Sequence, residues 1–509
     1  MNILSILIFL PLVAGAIVLL LPDRLAQQAK PLAMGAAAAN LALAIWTWMQ
    51  MAPAGGMQLV QKLDWVPQWG IAYHVGVDGI SIFLVLLTTL FSLLAMIYAL
   101  HQGPQHQVGR FYGLILVLAS GMIGTVLAMN LVLFYLFWEL MLIPMYFLIG
   151  IWGGENRIRA VTHFVIYTMV GSLVLLFSML YLAVQVEART GTLSFDLAYL
   201  MSMMNQLPFD NSSWVRHALF VGFALAFLIK MPVFPLHTWL PDTYVESPAV
   251  VTFLLSGVMA KMGVYGLLRI AIPLFPDSLE QLSPALSTLA VIGIVYGAVL
   301  ALGQTEIKRL IAYSSFSHMG LIALGLFSWN ATALNGVTYH IMNHAVATGA
   351  LFLLVGLIEK HYGTTEIKAL GGLAAKMPVF ATLFLLSSFA SIGVPLLNGF
   401  VGEFMILLGV ASRSPLFTFL AALTLILSAG YMLNLIQRFL FGPLVLSGEG
   451  FQLKSTDWLA LAPLCVLMVV MGVYTTPFTT YISPAVQHTL THYQAPLQVQ
   501  APVTGASHG

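Results

Sequence analysis

Apolar residues fall in long runs along this chain, and the polar residues between them gather at Pro, Gly and charge clusters. Cut there, the sequence yields apolar segments near 2 to 21, 31 to 50, 78 to 100, 111 to 128, 131 to 152, 161 to 184, 216 to 239, 248 to 272, 283 to 304, 307 to 327, 331 to 358, 378 to 411, 415 to 441 and 457 to 477. Most approach the ~20 residues that carry an α-helix across a bilayer. The pattern predicts an all-α polytopic membrane protein of about 14 transmembrane helices. The longest polar stretches, 51 to 77, 185 to 215 and 478 to 509, are too small to fold as a separate catalytic domain. Function is therefore expected inside the membrane. The first run has no positive charge before it and is followed by Asp23, Arg24 and Lys30, so it reads as a retained helix rather than a cleaved signal peptide.

Two segments are not plain spans. The seventh runs apolar to Lys230 and is then interrupted by Pro232 and Pro235 in KMPVFPLHTWLP; the twelfth, 378 to 411, is interrupted by Gly393, Pro395, Asn398 and Gly399 in SIGVPLLNGFVGEF. Proline removes a backbone donor and clashes with the preceding turn, and unwound backbone at membrane depth is tolerated only where it lines a polar cavity or is buried in protein. Paired breaks point to inverted repeats with an ion path at the midplane. The expected layout is 1–110 for helices one to three, 111–272 for a first five-helix repeat, 283–442 for a second inverted repeat, and 443–509 for the last helix and tail. Proline can also serve packing alone, but here each break adjoins an ionisable residue.

Composition narrows the function. Of 509 residues, 60% are apolar and 7% charged, with a formal charge of +1, so a soluble domain is excluded and nothing supplies a basic stripe for nucleic acid. The one cysteine, Cys465, rules out an iron–sulfur cluster or a disulfide framework in this chain. No nucleotide-binding glycine motif occurs. Loops after odd-numbered spans carry 12 Lys and Arg against five after even-numbered ones, which expects the odd loops in the cytoplasm and both termini outside.

Four charged residues fall deep in the predicted spans: Glu139, Lys230, Lys261 and Glu403. A charge at the bilayer centre costs several kcal/mol, so each needs a partner or a proton. His318, His340 and His344 extend the series, and His340, His344 and Thr348 at i, i+4 and i+8 share a helix face that suits a hydrogen-bonded water file. A metal is the competing reading for two histidines at that spacing, but a third ligand and a nearby carboxylate on that helix are missing, so none is expected. A packed bundle could also satisfy His340 by hydroxyls alone. His163, near the start of its span, meets either headgroups or a water wire. Glu306, Lys308, Arg309, Asp242, Glu246, Arg157 and Arg159 read as interfacial anchors.

The motifs FYLFWELMLIPMYFLIGIWG, LIKMPVFPLHTWLPD, KMGVYGLLR, QTEIKRLIAYSSFSHMG and NGFVGEFMIL resemble the antiporter-like membrane subunits of proton-translocating NADH:quinone oxidoreductase, respiratory complex I, and among them the chain M (chain 4) type, across nearly the whole chain. The resemblance implies a 14-helix fold with two inverted five-helix repeats. It makes Glu139 and Lys230 a switch pair, Lys261 a connecting lysine, His318 and His344 relay residues and Glu403 the terminal carboxylate, where other members of the family carry lysine. It implies a translocase subunit of the bacterial inner membrane without redox cofactors of its own, with NADH, FMN, iron–sulfur clusters and quinone in other subunits. Neighbouring antiporter-like subunits and the lipid bilayer would be its partners.

The chain departs from the family in three places. His163 stands where lysine is usual, TYVESPAVVT replaces an AHxEAPTAGS-like stretch, and PLLNGF replaces a PGLNGF-like turn. The second departure leaves open a component of an Mrp-type sodium/proton antiporter, or a membrane component of an energy-converting hydrogenase.

Overall fold

The computed structural model describes residues 2–22, 26–204, 214–445 and 450–498. Arg24, counted above toward orientation, and the tail beyond Gln498 lie outside them. In chain order the helices are α1 (Ile3–Leu20), α2 (Ala26–Gln50), α3 (Ser81–Gln102), α4 (Val108–Leu127), α5 (Leu131–Leu140), α6 (Leu142–Trp152), α7 (Arg157–Thr190), α8 (Leu197–Met203), α9 (Trp214–Lys230) and α10 (Leu240–Glu246). They continue as α11 (Ala249–Leu274), α12 (Pro276–Leu302), α13 (Ile307–Ser328), α14 (Ala331–Tyr362), α15 (Pro378–Ser391), α16 (Asn398–Ala411), α17 (Pro415–Phe439), α18 (Ser455–Val473) and α19 (Thr476–Gln498). Twelve helices among the described residues are long and apolar enough to cross a membrane, α5 and α6 together forming one of them.

The seventh and twelfth predicted spans are each interrupted, as their prolines require. α9 stops at Lys230, irregular backbone follows, and α10 resumes at Leu240. Asp242 and Glu246, read above as interfacial anchors, lie in the second half of that broken helix. The other break separates α15 from α16. α14 lies at the centre and packs against α3, α11, α13, α15, α16, α18 and α19. Its most apolar stretch is wholly enclosed by protein.

All three polar stretches have more structure than the apolar pattern indicated, 185 to 215 holding α8. Within 51 to 77, β1 (Gln58–Val66) and β2 (Ile71–Val77) form an antiparallel hairpin pairing Leu63 with Tyr73. The turn passes through Gly70 at φ 64°, a left-handed conformation that favours glycine. The tail from Thr476 forms α19, whose Ile482, Ala485, Val486 and Leu490 are buried; this i, i+3, i+4 and i+8 stripe is obscured in the sequence by the many Thr and His residues around it.

The hairpin is fixed to the bundle through Asp196, the N-cap of α8, which accepts from His74 Nδ1 at 2.7 Å and Lys62 Nζ at 3.1 Å. Burial pushes this carboxyl up, but the hydrogen bonds and charges of His74 and Lys62 outweigh burial and hold it at about 2. A carboxylate with a depressed pKa stabilises the fold above its unfolded value and loses that contribution as pH falls through the folded one. The hairpin should stay docked down to about pH 4 and loosen only toward pH 2, whereas Asp196→Asn should loosen it at neutral pH. Hydrogen exchange of the β1 amides checks both.

Candidate functional site

The first break brings Lys230 to the protein interior, 2% exposed at the end of α9. Its ammonium lies over the Trp138 ring, 3.9 Å from the centroid. Glu139 makes no ion pair within 4 Å among the described residues, and its Oε1 is buried without a hydrogen-bond partner. The expected direct Glu139–Lys230 contact is thus replaced by a cation–π contact with the neighbouring residue. Consecutive residues of a helix diverge by about 100°, so only one of the two can face the ammonium. Trp138 takes that place, anchored by its Nε1 donating to Ser172 Oγ at 3.1 Å.

Lys261, fully buried on α11, follows a π-helical turn at Leu255–Met259. Such a turn rearranges backbone hydrogen bonding and recurs at functional positions. The Lys261 ammonium donates to the Ser256 carbonyl, and it lies 2.8 Å from His344 Nδ1. With lysine as donor, that nitrogen is the acceptor and the imidazole proton sits on Nε2, facing Thr348 Oγ1 at 3.4 Å.

Beyond His344 the rings of His318 (5.7 Å between centroids) and His340 (6.3 Å) follow, all three buried. Glu403, on α16 past the second break and 2% exposed, puts Oε1 3.3 Å from His318 Nδ1 and 4.0 Å from His340 Nε2. These approaches lack hydrogen-bond alignment, leaving both nitrogens of each ring without partners. A small cavity lined by His318, His340, His344, Thr348 and Ser391 adjoins them. The carboxylate beside these rings arrives from another helix, α16. The three donor atoms lie within 4.8 Å of one another. That is metal-ligand spacing, and equally a spacing that one water bridges for proton transfer.

The second break is shaped around this carboxylate. Gly393 has φ 71°, and a Cβ there would run into Glu403 Oε2. A Cβ on Gly402 would press on His340, and Asn343 and Asn398 exchange side-chain-to-carbonyl bonds of 2.6 and 3.2 Å that hold the start of α16 on α14. Leu396 has φ 73°. It stands at the PLLNGF departure from the glycine-containing turn, so a leucine holds a left-handed conformation at a cost of about 1 kcal/mol.

Of the remaining expected residues, His163 is half-buried near the start of α7, its ring 4.9 Å from Tyr167. The Tyr167 hydroxyl meets Thr238 Oγ1 at 2.7 Å, tying His163's neighbour to the first break. Pro232 and Pro235 lie within that break, and Pro395 lies within the second.

Sequence reasoning passed over three features. His237, inside the first break, stacks on Phe316 at 4.1 Å with its Nδ1 unpartnered; its only signal was membership of the KMPVFPLHTWLP motif. Arg269 and Asp78, at the end of one predicted span and the start of another, form a buried ion pair, with Thr489 of α19 also accepting from Arg269. Lys308, read as an anchor, is 2% exposed and donates to Val245 O, Ser247 O and Glu359, tying the end of α10 to α13 and α14.

Broken helices around a buried row of lysine, histidine and glutamate define a multi-pass membrane protein of the ion-translocating class. Residues 128–428 match the family model described as NADH:quinone oxidoreductase/Mrp antiporter, TM, and the chain belongs to that family. It is 37% identical to the NADH-quinone oxidoreductase subunit M of Rhodobacter capsulatus, covering 99% of this chain and all of the relative. Among solved structures it resembles a chain of respiratory complex I from Thermus thermophilus at 33% identity and a TM-score of 0.85, covering 96% of this chain and 99% of the other. A chain of the Mrp complex from Dietzia shares the fold at 22% identity and a TM-score of 0.82, covering 98% of this chain and all of that one.

Proposed function

We propose that this chain is a proton-translocating membrane subunit of an NADH:quinone oxidoreductase, working as a translocase module while redox chemistry proceeds on NADH, FMN, iron–sulfur clusters and quinone in other subunits. The observation that carries the reading is the enclosed row Lys261, His344, His318 and Glu403, which runs from α11 to the second broken helix. Near-full-length likeness to NADH-quinone oxidoreductase relatives supports the choice of complex.

In this reading the chain crosses the membrane 14 times, α9 with α10 and α15 with α16 forming the two broken crossings. Residues 111–272 and 283–442 act as inverted repeats. The hairpin side faces the periplasm with both termini, and the Lys308 side faces the cytoplasm. Protons enter near Lys230, with His163 and His237 as accessory groups, pass Lys261, His344 and His318 beside His340, and reach Glu403. Glu139 and Trp138 set the switch. When Glu139 approaches, the Lys230 charge is stabilised and the proton is held; when it withdraws, the cation–π contact alone is insufficient and the proton moves on.

Lys230→Ala in sealed vesicles should reduce NADH-driven proton pumping at least about tenfold, the proton-carrying group being lost. Pumping at the unaltered rate overturns the switch. Sodium transport independent of NADH would instead favour an Mrp-like role.

A further inference from the structure

A cavity opens on the hairpin side between α12, α13, α16 and α17, apart from the row described above. Its volume is about 280 Å³, and its wall carries the hydroxyls of Ser283, Ser287, Ser328 and Ser414 with Glu280 and Arg413. Ser287 and Ser328 are buried within the protein yet line this space, so it extends below the surface. Phe327 and Val410 also line it.

We propose that this cavity is the aqueous outlet of the proton path and that Ile406 is the apolar seal between it and Glu403; the proposal rests on the proton-translocating reading above. Glu403, Ile406 and Val410 stand at i, i+3 and i+7 on α16, one helix face. Val410 is thus about 10 Å along the axis from Glu403 at 1.5 Å per residue. Ile406 lies between them, fully buried and packed beside Gly325 of α13 and Gly336 of α14. Phe327, likewise, lies nine residues beyond His318 on α13. One apolar layer therefore separates the buried carboxyl from a space with room for several waters. A narrow apolar constriction of this kind gates by wetting and drying.

Among the polar groups of the wall the four hydroxyls outnumber the single guanidinium, which is matched by one carboxylate, a set that suits water rather than an anionic headgroup. When the seal wets, the O–H bond of the Glu403 carboxyl breaks, a water oxygen gains the proton, and the carboxylate remains to be reloaded from His318. Hydronium then leaves past Glu280.

The test uses the assembled complex in sealed vesicles of both orientations, with Cys465→Ser as background and Ser283→Cys or Ser287→Cys added. A membrane-impermeant trimethylammonium methanethiosulfonate should react with these thiols only from the hairpin side. After reaction, pumping per NADH oxidised should fall at least about threefold, because a fixed cation in the throat repels hydronium. The same reagent on Ser412→Cys, outside the cavity, should leave pumping unchanged. Modified Ser287→Cys that pumps normally, or reaction from the Lys308 side alone, overturns the outlet. Ile406→Ser should increase passive proton leak in de-energised vesicles about tenfold and Ile406→Val should not; equal leak overturns the seal. Normal pumping by Glu403→Gln would instead overturn the parent reading, whatever the thiols report.

Discussion

Glutamine in place of Glu403 should abolish proton translocation while the helices stay packed. The two side chains have nearly the same shape, and Glu403 makes no aligned hydrogen bond that the amide would forfeit. What is lost is the proton-accepting oxygen at 3.3 Å from His318. A positioned acid–base group contributes about a hundredfold or more to proton transfer, so pumping should fall at least tenfold in sealed vesicles. Thermal stability in detergent should move by less than about 2 kcal/mol, since no buried partner is stranded. Glu403→Lys, which places the residue of related subunits there, should retain more pumping than the amide. A glutamine variant that pumps normally removes Glu403 from the path.

Gly393→Val should be the most damaging substitution in the second break. Its backbone is left-handed, where a β-branched residue costs upwards of about 1 to 2 kcal/mol. Its Cβ would also occupy the place of Glu403 Oε2, so the carboxylate must swing away from His318 and His340. Both effects act on one turn, and a loss of pumping by more than about tenfold together with a lowered melting temperature is expected. Gly393→Ala should show the same defect in milder form. Leu396→Gly should act oppositely, relieving strain at φ 73° and raising stability by up to about 1 kcal/mol with pumping retained. An unchanged melting temperature in Leu396→Gly would mean that the strain is offset elsewhere.

Scarcity of charge made much of the site legible in the sequence. Lys261 and Glu403 stood out because almost every other charge lay at a segment end, and both are buried in the expected row. Proline and glycine located both breaks to within a few residues, because their backbone chemistry acts locally. What could not be read were contacts between segments. Trp138 and Glu139 are adjacent in sequence, and only the rotation of α5 against α9 decides which faces Lys230. The pairing of Arg269 with Asp78 depends on α11 meeting the start of α3, which periodicity does not encode. Weak alternation hid the hairpin, since β1 is largely exposed and its apolar positions are interspersed with Gln, Lys and Asp.

The enclosure of α14 governs how the protein can be influenced from outside. Helices on every side separate His340 and His344 from the bilayer. A hydrophobic compound dissolved in the lipid therefore has no direct approach to those rings. Control by a neighbouring subunit must likewise be exerted by shifting the surrounding helices, of which α15 and α16 are the interrupted pair. For pharmacology, the lesson is to aim at those hinges and at the two ends of the row, because its middle offers no surface to bind.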